Sequence, residues 1–317
     1  MSEDSRVLIS ICIPTCNQPN DLLLTLKSLV DQELNQVEIL IRDDSDNLES
    51  EEVVKKFQSL SIKYKKMKKC GIDQAFIWLI NNACGDYIWW FGDDIFEKNS
   101  IKNVFTNINK FNPDLIYLNS FCIQNMEPSI SSNKYFGSDK NYFLGLIKDQ
   151  MGFCSALVMR SSLLRPCMPD AEKFIGTCWV TLFLSLGVLN TSSAVLFDER
   201  YFFKSNYKPP GEVRWYDSYL VHCINYANVL EFYSLQFNKN LIESLIHIKY
   251  IASVKAVLSE RGKGYKGGYA SRGNKILVTI KRFWMKKITY PILFTFLIPN
   301  SLMRIIYTIY SNSYKCK

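Results

Sequence analysis

Two adjacent carboxylates, Asp93-Asp94, follow the apolar run 87–91 (YIWWF) and one glycine. Neighbouring ionised carboxylates repel, so keeping both charged takes a cation or a set of hydrogen-bond donors. A divalent ion bridging a diphosphate does this, because Mg²⁺ takes one or two protein carboxylates and fills its other positions with phosphate oxygens and water. Such an ion acts as a Lewis acid on a leaving diphosphate. A solvated acidic turn is the other reading of the same pair. A second pair, Asp43-Asp44, closes the run 37–42 (VEILIR). There a carboxylate can accept hydrogen bonds from a nucleobase or ribose, or serve only as a turn or helix cap. Pro14-Thr15-Cys16-Asn17 closes a third run, 7–13 (VLISICI). The chain contains neither GxxxxGK[ST] nor GxGxxG, so a phosphate-cradling glycine loop is absent and metal-assisted diphosphate binding is the alternative.

Positioning these residues requires strands that end together. The runs 7–13, 37–42, 62–66, 87–91 and 114–119 read as strands. Apolar spacing predicts helices over 22–32, capped by Asn20 or Asp21 and with Leu22, Leu26, Leu29 and Val30 on one face, over 50–60, over 74–83 and from Ser100. Strands alternating with helices of this length mean βαβ units and a mostly parallel sheet, an α/β fold. In such sheets ligands bind outside the carboxyl ends of the strands, where all three polar clusters fall. Further strands are expected at 153–159 and 194–197, and helices from 160 and over 177–186. The helical pattern resumes over 213–260.

The whole chain of 317 residues carries a net charge of +8, unevenly spread. Residues 261–317 hold 12 Lys and Arg and no acid, which leaves residues 1–260 at −4. A tail of that kind suits a polyanion, either nucleic acid or an anionic membrane surface. Ten scattered cysteines without a CxxC pair, and only two histidines, speak against a zinc site and for buried thiols in a reducing compartment. The first residues, with acids before a short apolar run, do not read as a signal peptide.

IPTCNQP before a helix, ILIRDDSDN, GIDQAF and ACGDYIWWFGDD, in that order, resemble the family-2 glycosyltransferases of GT-A fold. GDYIWWFGDD is most similar to the branch of abequosyltransferase-like enzymes of bacterial O-antigen synthesis. The resemblance covers about residues 7–120 and implies roles. Pro14, Thr15 and Asn17 would line a nucleotide pocket, Asp43 would meet the base, and Asp44 would support the loop. Gly71 and Asp73 would lie near the nucleotide. Asp93 and Asp94 would face ribose, diphosphate and a divalent cation (Mg²⁺ or Mn²⁺), with Asp94 as the metal ligand. The sequence departs from the family pattern at Gln18, where arginine is usual, and at Gly92, which takes the place of a carboxylate in the metal motif. Family members carry an acidic pair before a helix in the second half. Here Thr177 and Cys178 fall at those positions, so Asp170 and Glu172 are the candidates for the base that deprotonates the acceptor.

These readings divide the chain into a glycosyltransferase domain over 1–210, a helical region over 211–260 and a membrane-associating tail over 261–317. Within 1–210, residues 1–120 bind the nucleotide sugar and 121–210 form the acceptor side. Trp179, Tyr201, Trp215 and Tyr216 are candidates for stacking on sugar or for simple core packing. A glycine- and lysine-rich break spans 262–273. The apolar stretch after Ile288 is interrupted by Pro291, Pro299, Asn300 and Arg304, so it reads as an interfacial helix pair rather than a spanning helix. Trp284, Phe294 and Phe296 would insert between headgroups. That stretch favours a membrane over nucleic acid as the tail's partner. The expected activity is transfer of a sugar, such as a CDP-3,6-dideoxyhexose, to a polyprenyl-diphosphate-linked acceptor at the cytoplasmic face of the inner membrane. The alternative is a nucleotide-binding scaffold that has lost its base.

Overall fold

The structure, a computed structural model, describes residues 6–122, 127–205, 218–263, 279–280 and 297–315. It divides into two compact units, Met1–Tyr207 and Lys208–Lys317. The strands in chain order are β1 (Ile9–Thr15), β2 (Val37–Asp43), β3 (Ile62–Lys66), β4 (Tyr87–Trp90), β5 (Ile95–Phe96), β6 (Leu115–Cys122), β7 (Glu127–Pro128), β8 (Tyr135–Gly137), β9 (Leu157–Arg160) and β10 (Val195–Ser205). The α-helices are α1 (Pro19–Val30), α2 (Glu49–Lys55), α3 (Ile72–Asn82), α4 (Ser100–Phe111), α5 (Lys140–Ile147), α6 (Ser161–Leu164), α7 (Met168–Ala171), α8 (Val180–Thr191), α9 (Tyr226–Phe232), α10 (Lys239–Gly262) and α11 (Asn300–Lys315).

The first unit is one mixed sheet in the order β3-β2-β1-β4-β9-β6-β10-β5, with β7 on β6 and β8 on β10. β3, β2, β1 and β4 are parallel neighbours. β9 lies antiparallel to both β4 and β6. The sheet is therefore mixed rather than mostly parallel: β9 is reversed within it, and β5, β7 and β8 also pair antiparallel. β1 is buried along nearly its whole length, the pattern of a strand covered on both faces. β3 alternates half-buried and exposed residues, the pattern of an edge.

Several boundaries differ from expectation for local reasons. α1 begins at Pro19, whose fixed φ and missing N–H suit the first helical position, rather than after Asn20. Val30 is exposed, while Leu22, Leu26 and Leu29 are buried. α2 stops at Lys55, five residues before the expected end. α8 starts three residues late because Gly176 and Cys178 both take left-handed backbone, φ +86° and +63°. Its residues from Val180 to Leu189 are all buried, so no amphipathic stripe marks it in the sequence. The eight cysteines whose side chains are described are free. Only Cys12 and Cys223 are buried, which corrects the expectation of buried thiols.

In the same unit Asp198 of β10 is fully buried between Arg200, Lys134 and Asn107. Burial opposes its charge, but the Arg200 guanidinium and the Asn107 and Lys134 donors prevail and hold the carboxyl at about 2. A depressed carboxyl contributes stability above its unfolded value near 3.9 and loses it as the pH falls toward 2. Asp198→Asn should therefore lower stability at neutral pH by roughly 2–3 kcal/mol. The deficit should shrink in acid, and urea titrations at several pH values would read it. A deficit that is the same at pH 3 and pH 7 would refute the assignment.

In the second unit α10 packs on α11. Gly262 allows the approach, because a Cβ there would meet Tyr307 Cβ at 2.4 Å. Arg261, 1% exposed, donates to the Ile298 carbonyl. Tyr219 and Thr279 share a buried hydroxyl pair at 2.7 Å. No helix among the described residues is long and apolar enough to cross a membrane. Trp215, Tyr216, Trp284, Phe294 and Phe296 lie outside the described residues.

Candidate functional site

Because β1 is flanked by β2 and β4 in parallel register, the three chain segments leave the sheet on the same side. Thr15 pairs with Asp43, and the Asp44 N–H donates to the Thr15 carbonyl at 2.9 Å. The Phe91 N–H donates to the Cys12 carbonyl at 3.0 Å. Past the strands the first two loops stay bonded. The Asn17 N–H donates to Ser45 Oγ at 2.7 Å, its side-chain amide donates to Asp46 at 2.9 Å, and its Oδ1 accepts the Asp46 N–H at 3.0 Å. Asn17 is exposed and sits at φ +54°, a backbone region asparagine tolerates better than most residues. Pro14 is half-buried beneath it, and Thr15 is buried.

The Asp43 carboxylate has no exposed surface. Its Oδ1 accepts the Ser45 N–H at 2.8 Å and its Oδ2 the Tyr64 hydroxyl at 2.6 Å. The expected direct contact with a base is thus taken by protein partners in this conformation, and Asp43 holds the turn and Tyr64 in place. Burial, with Asp43 beside it, pushes the Tyr64 phenol up, so the hydroxyl stays a donor. Asp44 braces the neighbouring loop. It accepts from Arg42 Nε at 2.9 Å and from the Cys70 N–H at 3.1 Å, tying the Gly71 loop to the end of β2. Arg42 in turn lies over the Trp78 ring at 5.7 Å.

Gly71, at φ +89°, turns the chain into α3. Asp73, two residues on, is 4% exposed, and its carboxylate accepts three backbone N–H groups: Gly176 at 2.8 Å, Cys178 at 2.8 Å and Val180 at 3.2 Å. Left-handed residues alternating with right-handed ones aim successive N–H groups at one point, an anion-binding concavity at the start of α8. Here the protein's own carboxylate fills it. Burial pushes Asp73 above its usual range, against the backbone donors that favour its ionised form.

Asp94 is buried and Asp93 half-buried. Their loop is bolted to α1, where Thr25 Oγ1 donates to the Asp94 carbonyl at 2.8 Å, Ser28 Oγ accepts the Phe96 N–H at 3.1 Å, and Gln32 donates to the Glu97 carbonyl at 2.8 Å. On its other side the Gly92 N–H donates to Ser155 Oγ at 3.0 Å. Among the described residues no three His, Cys, Asp or Glu side chains stand together as a metal cage. Two adjacent carboxylates are a donor set that would suit an ion whose remaining positions are filled by diphosphate and water. Burial and the charges of Asp94 and Asp93 push the nearby Cys154 thiol up to about 12, and burial and Asp73 do the same at Cys178. Neither thiol is therefore a nucleophile at neutral pH.

Asp170 and Glu172 lie on the surface of the short helical segment before Gly176. Asp170 pairs with Lys173 at 2.6 Å. Gly176, four residues after Glu172, donates to Asp73 at the start of α3. Trp179 is buried against Gly152, and Tyr201 is exposed. The sequence reading passed over Thr25, Ser28 and Gln32, polar residues at a spacing that faces the sheet, and also Arg42, Cys70 and Ser155. Thr25 and Ser28 of α1, with Gln32 just past its end, were detectable as an inward polar set at positions i, i+3 and i+7.

Residues 10–165 match the family model described as glycosyl transferase family 2. Glycosyltransferase GlyA of Streptococcus pneumoniae serotype 4 is 25% identical over 122 residues, which are 38% of this chain and 18% of that protein, so the match spans under a fifth of that relative's length. The crystal structure of S. aureus TarS 1–349 has a TM-score of 0.63 at 12% identity, over 91% of this chain and 90% of that one. Its complex with UDP-GlcNAc gives 0.62 at 11% identity, over 91% and 90% of the two chains. Its complex with UDP gives 0.60 at 13%, over 95% and 91%. The fold is the GT-A type of α/β architecture expected from the sequence.

Proposed function

From the premise of a glycosyltransferase family 2 domain over residues 10–165, we propose that this protein transfers a sugar from a nucleotide-sugar donor to a hydroxyl acceptor. The observation that carries the reading is the common exit of β1, β2 and β4, which gathers the Asn17, Asp44 and Asp93-Asp94 loops at one end of the sheet. Pro14, Thr15, Asn17, Gly71 and the loop braced by Asp43, Asp44 and Asp73 form the donor side. Asp94, with Asp93 beside it, would hold a divalent cation, which would supply Lewis-acid assistance to the leaving diphosphate. In the reaction the acceptor oxygen bonds to the anomeric carbon as the bond from that carbon to the diphosphate breaks. The nucleoside diphosphate leaves, and the acceptor proton passes to a carboxylate, Asp170 or Glu172.

For the base, two donors compete. The run GDYIWWFGDD resembles enzymes using CDP-3,6-dideoxyhexoses, whereas the TarS complexes contain UDP and UDP-GlcNAc. The acceptor is a polyprenyl-diphosphate-linked oligosaccharide of surface-polysaccharide synthesis. The basic tail attaches the enzyme peripherally to the anionic cytoplasmic face of the membrane. Thermal denaturation with UDP, CDP, GDP and dTDP, each with and without Mn²⁺, tests the donor side. At about 100 times Kd a cognate nucleotide adds roughly 2.7 kcal/mol, and the metal should enlarge the shift. No shift with any nucleotide would end the proposal.

One observation favours a second reading. Thr177 and Cys178 fall at the family's acidic positions, and both alternative carboxylates are exposed. A scaffold that binds nucleotide without turnover fits that. Asp170→Asn and Glu172→Gln separate the two: one of them should abolish transfer while keeping nucleotide binding. Wild-type protein that binds nucleotide yet never turns over on any lipid-linked acceptor would favour the scaffold.

A further inference from the structure

Residues 61–72 contain five lysines and no acid, and β3 places them on the outer edge of the sheet. Two of the five are engaged: Lys63 with Glu38 at 2.8 Å, and Lys66 with the carbonyls of Ser45 and Asn47. Lys65, Lys68 and Lys69 are exposed and have no ion pair among the described residues. Lysines commonly blunt an edge strand against pairing with another chain, which accounts for Lys65. It does not account for Lys68 and Lys69, which follow the strand.

Those two stand between fixed points. The Met67 N–H donates to the Asp43 carbonyl at 2.8 Å, and the Cys70 N–H to Asp44 at 3.1 Å. The lysines are thus held at the end of the sheet where the donor-side loops gather. Lys69 stands close enough to the β1–α1 loop for its charge to act on Cys16. Lys65, on β3 itself, lies three strand spacings from β4, roughly 14 Å, which is beyond the reach of its side chain to a diphosphate at Asp93-Asp94. Three exposed ammonium groups within five residues are a cluster of positive charge that suits an anionic surface. The nearby carboxylates of Asp44 and Glu51 are already paired, with Arg42 and Lys55.

We propose that Lys65, Lys68 and Lys69 dock this edge on anionic lipid headgroups, bringing the mouth of the donor site to the membrane surface. The idea rests on the membrane-linked acceptor proposed above and adds a contact separate from the basic tail. Binding of the full chain to vesicles of phosphatidylglycerol and phosphatidylcholine, against phosphatidylcholine alone, tests it. Combining Lys65→Gln, Lys68→Gln and Lys69→Gln should weaken binding to the anionic vesicles on the order of 100-fold, at about fivefold per lysine. Neutralising Lys98, Lys102 and Lys110 in the same way changes net charge equally and should leave binding close to wild type. Equal loss in both variants, no loss in the first, or wild-type protein that ignores anionic vesicles would each overturn the proposal. So would a patch variant that keeps vesicle binding but loses affinity for inorganic polyphosphate, which would point to a polyanionic acceptor. The nucleotide-induced thermal shift should persist in the patch variant. A wild type lacking that shift would instead refute the donor reading and leave the vesicle result to stand by itself.

Discussion

Asp94→Asn should remove transfer almost entirely while the protein stays folded. The substitution keeps the size of the side chain, and the loop is held by backbone bonds, from Thr25 to the Asp94 carbonyl and from the Gly92 N–H to Ser155, that do not use the carboxylate. What disappears is a negative charge at the end of β4. If Asp94 holds a cation on the departing diphosphate, several kcal/mol of stabilisation go with it. At 1.36 kcal/mol per factor of ten, kcat should fall on the order of 1000-fold. The Mn²⁺-dependent part of the nucleotide thermal shift should vanish, while any metal-independent part survives. Asp93→Asn, at the half-buried neighbour, should cost less. Full activity in the Asp94 variant, with Mn²⁺ still enhancing nucleotide binding, would remove Asp94 from the site.

Asp73→Ala should destabilise the first unit strongly. It strips the acceptor from the Gly176, Cys178 and Val180 N–H groups at once. Each buried donor left without a partner costs about 1–3 kcal/mol. Gly176 is exposed and Cys178 half-buried, so water recovers part of this. A net loss of about 3 kcal/mol is expected, which lowers Tm by on the order of 10 °C in a domain of this size. Asp73→Asn retains one acceptor oxygen and should fall between. Because the freed segment carries Asp170 and Glu172, trypsin should cut at Lys173 faster in the variant. A Tm within about 2 °C of wild type, with unchanged proteolysis, would mean the start of α8 stands without this tie. Nucleotide binding is the control: if the segment belongs to the acceptor side, affinity for the nucleoside diphosphate should change less than transfer does.

Both predictions depend on features of different visibility in the sequence. Asp94 could be placed at a strand end by inspection, because YIWWF is a continuous apolar run and the glycine and carboxylates follow it without a gap. Asp44 as a brace was likewise readable. Its neighbour Asp43 was not, since nothing in the order of residues says that Tyr64, on the next strand, points its hydroxyl at that carboxylate. The resemblance implied a place near a nucleotide for Asp73. Its partners lie 103 to 107 residues further along, and only the packing of α3 beside α8 reveals them.

Sequence alone sufficed for the alternation of strand and helix, the strand-end polar clusters, the resemblance that implied sugar transfer, and the charge imbalance of the tail. Each is a property of neighbours along the chain, and backbone periodicity translates it directly into local structure. Tertiary structure decided the reversed insertion of β9, the burial of Asp43, the filling of the α8 amide cluster by Asp73, and the position of the β3 lysines on an outer edge. Those depend on which segments become neighbours in space. Hydrogen bonds and burial act through space over a few ångströms regardless of separation along the chain, so no pattern of nearby residues could have specified them.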